Sequence, residues 1–181
     1  MNESQEADLV RRCQTGDLEA FRALVERYHS TLFGTAYLMV QDRGRAEDAV
    51  QDALVQIWKH FPSFRSKSSV KTWLVRIVIN EVKQQLRKKG LSMASLEETS
   101  EVASGQADSE TVLICDEERR NLRQALARLP SGQRDAVVLR YFSGFTVPEI
   151  AIALRQPEGT VKSRLSRALE LLKQIFSADK V

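Results

Sequence analysis

Almost every segment of this 181-residue chain repeats its apolar residues at intervals of three and four, and only one stretch lacks this pattern. Such spacing places the apolar side chains on one face of an α-helix. The alternation that marks a strand appears nowhere. A clear example is the stripe formed by Leu18, Phe21, Leu24, Val25, Tyr28 and Leu32. The sequence therefore predicts an all-α protein.

The exceptional stretch covers residues 90–111, which are rich in Ser, Glu, Ala and Gly and contain no aromatic residue. A segment of this composition cannot bury enough apolar surface to fold by itself. We therefore expect a flexible acidic linker at 90–111 between two small helical domains, at 1–89 and 112–181.

Charge is distributed in blocks that the net charge of +3 conceals. Residues 62–89 hold eight Lys/Arg against one Asp/Glu, and residues 119–181 hold twelve against five. Between them, residues 90–118 hold eight Asp/Glu and no Lys/Arg. Folded basic blocks are typical of proteins that bind polyanions. One such block alone is equally consistent with a solvated helix face.

Composition also excludes several classes of protein. The two cysteines, Cys13 and Cys115, are far apart and form no CxxC pair, which excludes a disulfide scaffold and a cysteine-based zinc ribbon. No apolar run approaches the ~20 residues of a membrane span, and no signal peptide begins the chain. The sequence predicts a cytoplasmic protein that does not insert into the membrane and has no metal or other cofactor.

The strongest motif is EIAIAL, followed by a short turn and GTVKSRLSRALELL, which is typical of a helix-turn-helix. We expect Val161, Leu165, Leu169 and Leu172 to face inward. The outer face near the start of the second helix would then reach base edges and phosphates in a major groove. That face carries Thr160, Lys162, Ser163, Arg164, Ser166 and Arg167. Arg155 departs from the motif, because the turn usually holds Gly there.

A second basic helix begins near residue 70, after a loop that contains Phe64 and Arg65. Its polar residues recur every three or four positions opposite Trp73, which we assign to the core. A cationic helix beside a loop suits DNA that is partly single-stranded. Phe64 fits a base-capturing residue and a core residue equally well. The stripe consists of Thr72, Arg76, Asn80, Lys83 and Arg87.

The third helix carries Asp48 and Asp52 one turn apart, with Gln51 between them and Trp58 just off the apolar stripe. Two carboxylates at this spacing suggest a metal site or an acid–base pair, but nothing nearby supplies further ligands. A docking face for another protein, or a solvated face, is the better interpretation. The sequence offers no clustered catalytic residues.

Taken together, these segments resemble the extracytoplasmic-function sigma factors of bacterial RNA polymerase. The resemblance rests on stretches in the family's order and spacing. These are GDLEAFRALVERY, AEDAVQDALVQIWKHFPSF, KTWLVRIVINEVKQQLRK, LPSGQRDAVVLRYFSGFTVPEIA and EGTVKSRLSRALELL. The resemblance implies a region 2 domain for the promoter −10 element, a region 4 domain for the −35 element, and no enzymatic activity.

The resemblance also implies roles for individual residues. Asp48, Gln51, Asp52 and Trp58 match the face that docks on the clamp of the largest polymerase subunit. The match to −10 recognition covers Phe64, Arg65, Lys67, Ser68, Ser69, Thr72, Arg76, Asn80 and Lys83. The match to −35 recognition covers the outer face of the last helix named above. The implied partners are core polymerase, including the flap of its second-largest subunit, promoter DNA and an anti-sigma protein.

Two alternatives stay open at this point. A response-regulator-type DNA-binding protein also contains a helix-turn-helix of this kind, but it does not explain the second basic helix. A nuclease or other enzyme would have to rely on Asp48 and Asp52 alone.

Overall fold

The computed structural model describes residues 3–66, 68–92 and 110–178, and these residues are helical with no strand. The chain divides into two compact units, Met1–Gly90 and Leu91–Val181. Unit 1 contains α1 (Glu3–Gln14), α2 (Leu18–Val40), α3 (Arg43–His60) and all but the last two residues of α4 (Val70–Ser92). Unit 2 contains α5 (Glu110–Ala127), α6 (Ser131–Val137), α7 (Val147–Leu154) and α8 (Glu158–Ala178).

Short turns join α1, α2 and α3 because the chain carries the right residues at the helix ends. Gly16 adopts φ +86°, the left-handed conformation that glycine accepts without a steric penalty. Asp17 then caps α2 by accepting hydrogen bonds from the backbone N–H groups of Glu19 and Ala20. The bond from Ala20, followed by the hydrogen-bonded ion pair with Arg12 and then by the bond from Glu19, lowers the pKa of Asp17. Asp42 caps α3 by accepting a hydrogen bond from the backbone N–H of Arg45, so α3 begins at Arg43.

The core of unit 1 lies between α2, α3 and α4, with α1 packed against α2. Its largest fully buried side chains include Leu24, Leu32, Ile57 and Phe61. The hydroxyl of Tyr28 donates to Glu6 Oε2 at 2.6 Å, and Glu6 also pairs with Arg27. These contacts attach α1 to α2.

Helix α4 begins where Ser69 accepts a hydrogen bond from the N–H of Thr72, as expected for a serine cap. It continues to Ser92, two residues beyond the predicted stop at Gly90. A single glycine near a helix end costs only about 1 kcal/mol, and no proline follows. The residues between 92 and 110 of the predicted linker lie outside the described residues.

In unit 2, α6 passes directly into a π turn at Val138–Phe142, and Gly144 at φ +77° ends this segment. Helices α7 and α8 pack together through the fully buried Ile150 and Val161. Leu165 and Leu172 also face the core, as predicted. Leu169 does not, since 44% of its surface is exposed. The inward stripe of α8 instead runs through Ala168, which is fully buried.

Candidate nucleic-acid interface

The loop before α4 is built on an aromatic cluster. The Phe64 ring centroid lies 5.0 Å from that of Trp73 and 6.0 Å from that of Phe61. Phe64 is only 5% exposed, and its backbone carbonyl accepts a hydrogen bond of 2.8 Å from the side-chain amide of Gln14. The structure therefore resolves the two interpretations of Phe64 in favour of the core. Trp73 is half-buried rather than fully enclosed.

The remaining side chains of this loop are more accessible. Arg65 and Ser66 are exposed, and Ser68 is half-buried. Ser66 adopts φ +51°, a left-handed conformation that turns the chain back toward α4. Ser69 is exposed as a residue, although its hydroxyl is engaged in the α4 cap. Lys67, also predicted to contact the −10 element, lies outside the described residues.

The polar stripe of α4 is shorter than predicted. Arg76, Asn80 and Arg87 are exposed and Lys83 is half-buried, so these four residues form an accessible surface. Thr72 is different, because it is only 7% exposed and its hydroxyl lies 2.8 Å from that of Ser69. Its position in the stripe was a correct reading of the helical period. The prediction that Thr72 is accessible was wrong, because its hydroxyl takes part in the helix cap and the side chain turns into the first turn of α4.

The outer face of α3 presents Asp48, Gln51 and Asp52 to solvent. Trp58 is half-buried, with its ring edge-on to Phe21 at a centroid distance of 5.0 Å. Val55 lies exposed between these groups in the sequence. Nowhere in the described ranges do three His, Cys, Asp or Glu side chains gather where they would hold a metal ion. The face combines exposed carboxylates with a partly accessible aromatic ring.

The helix-turn-helix of unit 2 forms as its sequence indicates. Thr146 and Glu149 make a reciprocal capping box at the start of α7, where Pro148 occupies the first turn. Arg155 ends α7 with φ 53° and ψ 52°, so an arginine adopts the left-handed conformation that glycine usually takes in this turn.

Four of the six predicted DNA-contacting residues of α8 are fully accessible: Lys162, Ser163, Ser166 and Arg167. Thr160 is half-buried. Arg164 is also half-buried, because its guanidinium passes over Gly132 of α6. A Cβ on residue 132 would lie only 2.6 Å from Arg164 Nη1. The sequence did not predict the contact between Arg164 and Gly132, because nothing in the spacing of the two residues signals it.

Comparison with known proteins assigns both units. The family model described as sigma-70 region 2 matches residues 24–91, and the model described as sigma-70 region 4 matches residues 119–172. The ECF RNA polymerase sigma factor SigM of Mycobacterium tuberculosis is 36% identical over 97% of this chain and 86% of its own length. The chain belongs to the extracytoplasmic-function (ECF) sigma factor family.

Other relatives agree with this assignment. The RNA polymerase sigma-H factor of Pseudomonas aeruginosa is 32% identical over 95% of this chain and 94% of its own length. The sigma factor RpoE from Bartonella quintana, solved in complex with the anti-sigma factor NepR, superposes with a TM-score of 0.71 and 29% identity, covering 90% of this chain and 99% of that one. A response-regulator-type protein would not contain a region 2 domain, so the sigma-factor interpretation is favoured over that alternative.

As a sigma factor the chain is a transcription initiation factor that works with RNA polymerase and promoter DNA. The region 2 match covers α3, α4 and the loop between them, and the region 4 match covers α7 and most of α8. Helix α1 lies outside both matches. Within the described parts of the chain, no helix is both long and apolar enough to cross a membrane.

Proposed function

We propose that this ECF sigma factor binds core polymerase through unit 1 and reads a bipartite promoter with one surface on each unit. The observation that carries the proposal is that an accessible basic helical surface occurs once in each matched region. One surface consists of Arg76, Asn80 and Lys83 on α4, and the other consists of Lys162, Ser166 and Arg167 on α8. The protein acts in the cytoplasm, where its polymerase is, and its energy for promoter opening comes from binding, so it needs neither catalytic residues nor a cofactor.

Docking on core polymerase is assigned to the outer face of α3. Asp48, Gln51 and Asp52 are all exposed there, and Trp58 supplies an aromatic edge. Carboxylates on an otherwise accessible helix are positioned to pair with cations of the clamp of the largest subunit. Association of this kind depends on charge complementarity more than on buried area.

Recognition of the −10 element is assigned to the loop before α4 and to α4 itself. Arg65, Ser68 and Ser69 of the loop, with Lys67, would contact an unstacked base or its phosphates. Arg76, Asn80 and Lys83 would follow the strand along α4. Phe64 and Thr72 support these contacts from within the fold, because both side chains are buried.

Recognition of the −35 element is assigned to α8. Lys162, Ser163, Ser166 and Arg167 are accessible for base edges and phosphates, and Thr160 and Arg164 flank them. The flap of the second-largest polymerase subunit would hold unit 2 in place over this element.

Control by an anti-sigma protein is supported by the Bartonella quintana relative, which was solved with NepR. Unit 2 also exposes large apolar side chains that a protein partner would cover. Tyr141 is 61% exposed, Phe142 46% and Ile152 60%.

The test separates the two activities with two substitutions in the full chain. Asp52→Arg should abolish co-purification with core polymerase without changing the weak affinity of the free chain for DNA. Arg164→Ala should leave core binding intact and lower run-off transcription from promoters with a −35 element, by roughly fivefold or more. Glu26→Arg on the exposed side of α2 is the matched control for the charge reversal. If Asp52→Arg and Arg164→Ala failed in the same assay, the assignment of two separate surfaces would be wrong.

A further inference from the structure

A cavity of about 490 Å³ lies between α1 and the loop before α4. Helix α1 supplies one wall with Val10, Arg11 and Gln14, and the loop supplies the other with Phe64 and Ser68. Its volume falls within the range of about 300–1,000 Å³ typical of small-ligand sites. All its lining residues belong to unit 1.

The lining combines apolar and polar groups in a way that fits a nucleobase. Val10 and Val70, which are 9% and 5% exposed, form the apolar floor against which a planar ring would lie. The hydroxyls of Ser66 and Ser68 and the amide of Gln14 offer hydrogen bonds to its edges. Recognition of unpaired bases generally uses this combination of apolar faces and polar edges.

Gln14 determines where the loop wall stands. Its Nε2 donates to the carbonyl of Phe64 at 2.8 Å, across fifty positions of sequence. This bond uses one of the two N–H donors of the amide. Because α1 lies outside residues 24–91, the region 2 match assigns no role to this contact.

Arg11 lines the cavity from an exposed position on α1. Its guanidinium pairs with Asp8 at 3.2 Å, and the two side chains are 75% and 52% exposed. An ion pair this exposed contributes little stability, so Arg11 can exchange the carboxylate for a phosphate at small cost. A phosphate beside the captured base is the natural partner, since a nucleotide carries both groups.

We propose that α1 forms one wall of the pocket that receives an unpaired base of the separated promoter strand. Gln14 is a positioning residue that holds the loop through Phe64, and Arg11 contacts the strand's phosphate. This inference rests on the proposed −10 recognition by unit 1 and extends it to a helix to which no role has been given.

The experiment uses holoenzyme assembled from the full chain and core polymerase. The DNA is a fork-junction fragment of a promoter that this holoenzyme transcribes. Its non-template strand is single-stranded across the −10 element. Single abasic sites are placed at each exposed position in turn, and the affinity of each fork is measured. Loss of the captured base should weaken wild-type binding roughly tenfold at one position.

Two variants and one control then test the role of α1. Arg11→Ala should weaken binding to the intact fork. The loss of affinity that the abasic site causes at that one position, the abasic penalty, should fall to threefold or less. Gln14→Leu removes the donor to Phe64 and should reduce the same penalty, whereas Gln14→Lys restores an N–H donor and should recover it. Arg22→Ala is the matched control, because Arg22 makes the same kind of exposed pair, with Glu19 at 3.2 Å, and does not line the cavity. It should leave the abasic profile unchanged.

The outcomes distinguish the inference from the proposed function. If wild-type holoenzyme shows a sensitive position and the Arg11 and Gln14 variants keep its full penalty, α1 is not part of the pocket and the inference is wrong. If wild-type holoenzyme shows no sensitive position, the proposed −10 recognition itself fails. Equal thermal unfolding of the variants and the control shows that a changed profile does not come from a damaged fold.

Discussion

Arg164, which we propose contacts the −35 element, is the clearest case of a side chain whose position depends on another residue. Its guanidinium lies over Gly132, and any side chain on residue 132 would collide with it. The arginine is flexible enough to move aside, so the collision should cost little stability.

We therefore expect Gly132→Ala to displace Arg164 and weaken binding to the −35 element by roughly fivefold, at the low end of what losing an arginine contact costs. The unfolding free energy should barely change. Gly44→Ala is the control, because the nearest atom to its added Cβ would be Asp42 Oδ1 at an ordinary 3.6 Å. If the affinity of Gly132→Ala for the −35 element were unchanged, the position of Arg164 over Gly132 would not matter for DNA binding.

Cys13 couples the stability of unit 1 to alkaline pH. Its side chain is 1% exposed, and burial, followed by the charge of Asp17, raises the pKa of the thiol from 9.0 to about 11. The folded chain thus keeps a proton that the unfolded chain loses at lower pH. The resulting stabilisation is complete below pH 9 and disappears as the pH rises toward 11.

The stability lost in Cys13→Ala should therefore shrink between pH about 8 and about 10.5. Urea unfolding of both proteins at the two pH values measures this difference, and Cys115 is common to both, so its titration cancels. A difference that stayed constant across this window would contradict the assigned pKa.

Single side chains show where sequence reasoning succeeds and where it stops. Helical period correctly placed Arg76 and Arg167 on accessible faces, because direction around a helix follows from position. It could not foresee that Thr72 turns inward to meet Ser69, or that Phe64 joins Trp73 in a cluster. Those outcomes depend on contacts between side chains, which no period encodes.

At the scale of helices, the turn between α7 and α8 requires an unfavourable backbone conformation at Arg155. The N–H of Gln156 donates to the carbonyl of Ala151 at 2.9 Å, which closes the turn and requires the left-handed conformation at Arg155. A residue with a Cβ pays roughly 1 kcal/mol for that conformation.

Arg155→Gly should accordingly stabilise unit 2 by about 0.5–1 kcal/mol, while Arg155→Ala should not. Equilibrium urea unfolding measures the gain, and hydrogen exchange at the amides of α7 and α8 locates it. Equal stability of the glycine and alanine variants would mean that backbone conformation is not the source of the effect.

Helix boundaries were predictable wherever a capping residue marks them. Asp17 and Thr146 cap the helices that the sequence indicated, and Gly16 ends α1. The π turn at Val138–Phe142 has no such marker in the sequence. The extension of α4 through Gly90 was likewise hidden, since glycine signals a stop only when the following residues cannot continue a helix.

For the whole molecule, the acidic block between the two basic regions has an electrostatic consequence. Residues 90–118 carry eight carboxylates and no Lys or Arg. These charges compete with DNA phosphates for the basic surfaces, and the competition weakens as salt screens it.

Replacing Glu97 and Glu98 by Gln should therefore tighten binding of the free chain to duplex DNA at low salt, and the gain should vanish at high salt. Fluorescence anisotropy across a salt series measures it. Neutralising the exposed Glu19 and Glu26 of α2 controls for net charge. An affinity gain equal to that of this control, or no gain at any salt concentration, would contradict the proposed competition.

The two modest basic surfaces that we propose for DNA contact, one on each unit, favour a protein that reads promoters only as part of a larger assembly. Each surface alone offers few phosphate contacts, and such binding is weak at physiological salt. The decisive measurement compares the affinity for promoter DNA and for scrambled DNA of the free chain with that of the chain bound to core polymerase. The account predicts weak, sequence-indifferent binding by the free chain and tight, promoter-selective binding by the holoenzyme. Equally tight and selective binding by the free chain would contradict it.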